Sequence, residues 1–69
     1  MYAGQLILWR VHDAETKQYA DFKRRDTALE YLMDKLLKEF PEHEAKEIFK
    51  KVDFYNTNGR FSITDIDVS

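Results

Sequence analysis

One stretch dictates what the rest of this chain must do. From Thr27 to Phe40 (TALEYLMDKLLKEF) the apolar residues Leu29, Leu32, Met33, Leu36 and Phe40 recur at spacings of three and four. That spacing lines them along one side of a helix, and Leu37 widens the stripe. Glu30, Asp34, Lys35, Lys38 and Glu39 fall mostly elsewhere, on what becomes the wet side. Thr27 and Glu30 are spaced as a capping box: the hydroxyl accepts from the amide of Glu30 and the carboxylate reaches back. This predicts the helix start. Pro41 predicts its stop, because it restricts Phe40 and cannot donate within a continuing helix. The remaining residues must cover the apolar stripe.

The material for doing so is limited. Sixty-nine residues make one domain, and a chain this short hides only ~60% of its unfolded surface. It has no cysteine, which excludes disulfides, thiolate zinc sites and cysteine nucleophiles. Ten aromatic residues compensate, since each buries a large area. The apolar run Leu6–Trp9 is too short for a signal-peptide core, and no segment has the length to span a membrane. These features predict a soluble, cytoplasmic protein.

The order of elements follows from the patterning. Gln5–His12 (QLILWRVH) is rich in β-formers and alternates, with Ile7, Trp9 and Val11 on one face and Leu6, Leu8, Arg10 and His12 on the other. Residues 13–17 have turn character, although no glycine supplies a positive φ there. Gln18–Arg24 can return as a second strand, with Ala20 and Phe22 facing opposite to Tyr19, Asp21 and Lys23. After Pro41, Ala45, Ile48, Phe49 and Val52 mark a second amphipathic helix. Asn56–Gly59 is a turn. Arg60–Val68 reads as a last strand whose alternation slips, with Phe61 and Ile63 on one parity and Ile66 and Val68 on the other. A bulge near Thr64–Asp65, or cover on both faces, accommodates the slip. The expectation is an α+β fold of chain order β-β-α-α-β. It has an antiparallel three-stranded sheet with two amphipathic helices packed on one face.

Several clusters invite a chemical reading. The stretch from Ile48 to Asp65 resembles an EF-hand: with Gly59 as the sixth loop residue, Asn56, Asn58, Phe61 and Asp65 take positions three, five, eight and twelve. The same register puts Phe54 at position one, where that family places an acid. An ordinary turn is the better reading, and no metal is expected. His12-Asp13 and Glu42-His43-Glu44 lack metal-ligand spacing. Asp65 and Asp67 share a strand face and read as edge charges that discourage sheet-to-sheet aggregation. With no positioned nucleophile, no phosphate loop and no cofactor motif, the chain is expected to be neither an enzyme nor a cofactor protein.

Two interaction classes remain. Formal charge is −2, with five cations against three acids in residues 1–25 and six against ten in residues 26–69. The basic side offers Arg10, Lys23, Arg24 and Arg25 beside Trp9, Tyr19 and Phe22, an arrangement that suits single-stranded nucleic acid. The favoured expectation is instead a small accessory or inhibitory protein, of the sort mobile elements encode, that binds another protein or a second copy of itself. The surface expected to do so is an apolar outer sheet face of Leu6, Leu8, Tyr19, Phe61 and Ile63, with Ile66 and Val68 as the alternative parity.

Overall fold

A computed structural model describes residues 6–67. It contains β1 (Ile7–Asp13), β2 (Gln18–Phe22), α1 (Arg25–Glu39), α2 (Glu42–Tyr55) and β3 (Phe61–Asp67). The strands form one antiparallel sheet in the order β2-β1-β3, and the fold is α+β as expected. Val11, Phe61 and Ile63 join Ala28, Leu32 and Leu36 of α1 and Ala45 and Val52 of α2 in one buried cluster. Trp9, Phe22, Leu29, Phe40, Ile48 and Phe49 pack around it.

The hairpin turns without glycine. Ala14–Lys17 connect β1 to β2, and Lys17 itself takes the left-handed conformation at φ 60°. Such a conformation costs a non-glycine residue about 1 kcal/mol or more. Asp13 offsets this locally, because its carboxylate accepts from the amide of Glu15 at 3.0 Å and fixes the turn.

The helices are placed as expected, but their first turns differ. α1 begins two residues before Thr27, with an extended Arg24 preceding it and no side-chain cap bond, so the capping box does not form. The cause is long-range: Arg25 Nη2 donates to Asp53 Oδ1 at 2.7 Å and to its main-chain oxygen at 2.9 Å, which draws Arg25 into the helix. Leu32 and Leu36 are fully buried together with Ala28, whereas Leu29, Met33 and Phe40 are half-buried and Leu37 is exposed. Pro41 precedes α2 as its N-cap, and its carbonyl accepts from the amide of Ala45 at 2.8 Å. Asn56 ends α2 in the left-handed conformation, a routine asparagine role.

β3 needs no bulge. Its pairing with β1 runs unbroken from Asp13↔Phe61 through Val11↔Ile63 and Trp9↔Asp65 to Ile7↔Asp67. Paired residues share a face, so Phe61 and Ile63 enter the core with Val11. They are each 1% exposed. This corrects their assignment to an outward binding surface. Ile66 takes the outer position opposite Leu8, and Val68 lies outside the described residues. Asn56–Asn58 lie beside the start of β3, where Thr57 bridges Ser62 and the amide of Ile63 donates to Asn56 O at 3.0 Å.

Candidate protein-binding surface

The two ends of the sheet are finished differently. At the turn end, Arg60 gathers three acids, one each from β1, the hairpin turn and α1. Its Nε and Nη2 donate to Asp13 Oδ1 and Oδ2 at 2.9 and 3.0 Å, a bidentate fork. Its Nη1 donates to Glu39 Oε1 at 2.8 Å, and Glu15 lies 3.8 Å from Nη2. Asp13 is only 2% exposed. The hydrogen bonds from Arg60 hold its carboxyl well below its usual value of 3.8, at about 2, against the opposing effect of burial. Arg60 is pushed upward, chiefly by the bond to Asp13. The network joins β1, the C-terminus of α1 and the start of β3, and it closes this end.

The other end is open. β2 stops at Phe22, which pairs with Trp9. α1 starts at Arg25, whose guanidinium lies 5.8 Å from the Trp9 ring centre, and α2 is tied to Arg25 through Asp53 near its own end. β2 thus ends, and α1 begins, at the level of Trp9, with α2 anchored to Arg25 through Asp53. Among the described residues, only β1 and β3 continue beyond Trp9, as a two-stranded ribbon of Ile7-Leu8 against Ile66-Asp67. Ile7 has the same parity as Trp9 and Val11, yet it is 42% exposed because no helix reaches it. Leu6 is exposed as well, and Leu8 and Ile66 are half-buried on the opposite face.

Two aromatics are exposed at the C-terminal end of α2. Phe54 and Tyr55, the last residues of α2, are 79% and 66% exposed and meet edge to face with centres 4.8 Å apart. Together with Lys50, Lys51 and Asp53 they line an open groove of about 420 Å³. Asn56 follows them directly and bonds Ile63, two residues before Asp65.

Of the residues expected on an outward apolar face, only Leu6 and Leu8 belong to the ribbon end. Tyr19 does face outward, but it packs on the Arg10 guanidinium at 3.9 Å. Arg10 forks onto Asp21 at 2.7 and 2.9 Å, so the middle of the outer face is an ion pair and not an apolar patch. This bond raises Arg10 and lowers Asp21. Ile66, opposite Leu8, belongs to the parity given as the alternative for the outward face, whereas Ile7, Phe54 and Tyr55 were not singled out as surface residues. Phe54 carried a usable signal, since it lies two residues past Val52 and therefore off the α2 stripe.

The basic cluster is dispersed. Arg10 is held by Asp21 on the outer face, Arg24 by Asp26 at 3.2 Å, and Arg25 by Asp53. Lys23 alone of the four has no ion pair among the described residues. The turn that resembles a calcium loop uses its own donors and acceptors: Asn58 Oδ1 accepts from the Phe61 amide at 3.0 Å and Thr57 Oγ1 from the Gly59 amide at 3.2 Å. Gly59 has φ 99°, which few other residues adopt. No group of three or more metal-ligating side chains occurs among the described residues. No helix there is long and apolar enough to cross a membrane.

Comparison with protein-family models, with curated proteins and with solved structures finds no match for this chain.

Proposed function

We propose that this chain is a small, non-enzymatic protein-interaction module, of accessory or inhibitory type, that binds through its open end. The observation carrying this reading is Ile7, a residue of core parity left exposed in the β1–β3 ribbon beside exposed Leu6, with Phe54 and Tyr55 further exposed aromatics at the end of α2. A small domain that leaves large apolar groups together at one end, while closing the other with charged hydrogen bonds, has the distribution expected of an interface. The most buried acid, Asp13, is tied up by Arg60 and the turn amide, so it supports a structural role rather than acid–base chemistry. The dispersal of Arg10, Arg24 and Arg25 onto carboxylates weighs against the rival nucleic-acid reading.

The test is affinity capture from native cells with wild type, Ile7→Asp, Phe54→Ser and a Leu37→Ser control, each with and without nuclease. Leu37 is also exposed, but it lies on α1 away from the ribbon. Proteins retained by wild type and the control but lost by the other two support the reading. Retention by all four contradicts it. Loss of every bound protein after nuclease would favour the nucleic-acid alternative.

A further inference from the structure

α2 ends on a surface that sets apolar groups beside basic ones. Lys50 and Lys51 stand one helical turn before Phe54 and Tyr55, so each lysine shares a row with one ring on a single face of the helix. All four residues are exposed, and with Asp53 they line the open groove of about 420 Å³. Elsewhere on the helices, Lys38 and Lys46 are each met by an acid one turn earlier, Asp34 and Glu42. Lys50 and Lys51 form no ion pair among the described residues. The positions one turn later, where an acid could meet them, hold the two aromatics, and Glu47, one turn earlier, pairs with neither. Asp53 is the one acid lining the groove, and Arg25 holds it at 2.7 Å.

Exposed rings beside unneutralised lysines fit a ligand that brings both an apolar side chain and carboxylates. Phe54 and Tyr55 meet edge to face, 73° apart in plane with centres 4.8 Å apart. Rings crossed in this way form a corner against which one large side chain can rest. They are not the parallel platforms on which successive bases stack. Charge points in the same direction. Six cations against ten acids in residues 26–69, within a net charge of −2, repel an extended polyanion such as a nucleic acid or an anionic bilayer. A short acidic segment meets the two lysines locally, and charges beyond a Debye length, about 10 Å at 0.1 M ionic strength, are screened from it.

We infer that the α2 groove receives an acidic segment of a partner protein, whose apolar side chain packs on Phe54 and Tyr55 while its carboxylates meet Lys50 and Lys51. This rests on the interaction reading above and names the chemistry of the partner. The lysines are exposed, so salt loosens the contact, and the apolar anchor supplies the part that salt does not remove.

A defined peptide tests this on the full chain. A blocked heptapeptide with one central tryptophan among glutamates is titrated into isotope-labelled protein, and the backbone amide signals are followed by NMR. Shifts should be confined to residues 50–55 and their neighbours, absent around Asp13 and Arg60, and reduced by salt. Replacing the glutamates of the peptide by lysines, or its tryptophan by serine, should weaken binding by roughly tenfold or more. Lys50→Glu/Lys51→Glu should lose the acidic peptide and gain the lysine one. Phe54→Ser, which changes no charge, should lose the first without gaining the second. These positions are exposed, and thermal melts verify that each variant folds. No shifts with the acidic peptide at low salt, shifts centred outside the groove, or equal binding of the two charge forms would each overturn the inference. Tighter binding of a mixed-sequence oligonucleotide or of anionic phospholipid vesicles would also overturn it, and would make a polyanion the occupant. If the peptide fails while Ile7→Asp and Phe54→Ser still lose captured proteins, only the chemistry of the partner is wrong. If capture is unaffected as well, the interaction reading falls with it.

Discussion

The turn end and the ribbon end of this sheet are built from the same two strands, β1 and β3, yet they are held by different means. Around Asp13 and Phe61 no buried side-chain polar atom of the described residues lacks a partner, and the helices reach the strands. Arg60 ties the first strand, the last strand and the long helix together through charged hydrogen bonds of 2.8–3.0 Å. Around Ile7 and Ile66, among the described residues, the strands continue without a helix beside them, leaving Leu6 and Ile7 exposed and Leu8 and Ile66 half-buried. The lesson is one of division: cohesion is concentrated where Arg60 sits, and the end without such a clasp is free to meet another surface. Substitutions at the two ends should therefore affect different observables.

The largest effect on folding should come from Arg60→Ala. It leaves Asp13 buried and without its cation, and breaking a buried pair from one side costs about 3–5 kcal/mol. A chain of this size has a total margin of only about 3–10 kcal/mol, so a denaturant melt should find the variant largely unfolded or close to it. Leu36→Ala, in the core near the same end, should cost about 2–5 kcal/mol. Leu37→Ala, exposed on the neighbouring position, should stay within about 0.5 kcal/mol of wild type. Equal small effects for the two leucines would mean that the α1 face is assigned wrongly.

Acid provides a gentler probe of the closed end. The Asp13 carboxyl is lowered in the folded chain from 3.8 to about 2, so the unfolded chain binds its proton first as pH falls. The stabilisation is fully present above about pH 4 and is lost as pH drops through 2, an effect of about 2 kcal/mol. Melts at pH 5 and pH 2, repeated with Asp13→Asn, should show this loss in wild type and a smaller one in the variant.

The smallest effects on folding should occur at the open end. Ile7→Asp and Phe54→Ser place polar groups where the side chains are already wet, and should shift stability by no more than about 0.5 kcal/mol. Thermal melts beside the binding assays would sharpen the contrast: intact folding with lost association is the expected pair of results.

How far this could be read from the sequence depended on whether the controlling interaction was local. The five elements and the α+β class were legible because each carries a sustained period: 3.6 in Leu32–Leu36 and Ala45–Val52, two in Ile7–Val11. The start of α1 was not, since the Arg25–Asp53 bond that extends it spans twenty-eight residues. The outward face of β3 was likewise ambiguous, because each parity holds two apolar residues and periodicity cannot choose between them. The pairing of Asp13 with Phe61, next to the Arg60 clasp, makes the choice. The overhang that exposes Ile7 follows from β2 ending and α1 beginning beside Trp9, a coincidence of endpoints that no local pattern encodes. Leu6 and Leu8 were recognisable as surface candidates, whereas Phe54, off the α2 stripe, was weighed only as a position of the calcium-like loop.

Amide hydrogen exchange followed as a function of protein concentration tests this division of labour most directly. Val11, Phe61 and Ile63 should be the slowest amides at every concentration, because they exchange only when the core opens. Ribbon amides around Ile7 and Ile66 should exchange faster than those around Asp13 and Arg60 at every concentration, because no clasp of charged hydrogen bonds holds that end. Ribbon amides protected as well as those at the Arg60 end would contradict the account.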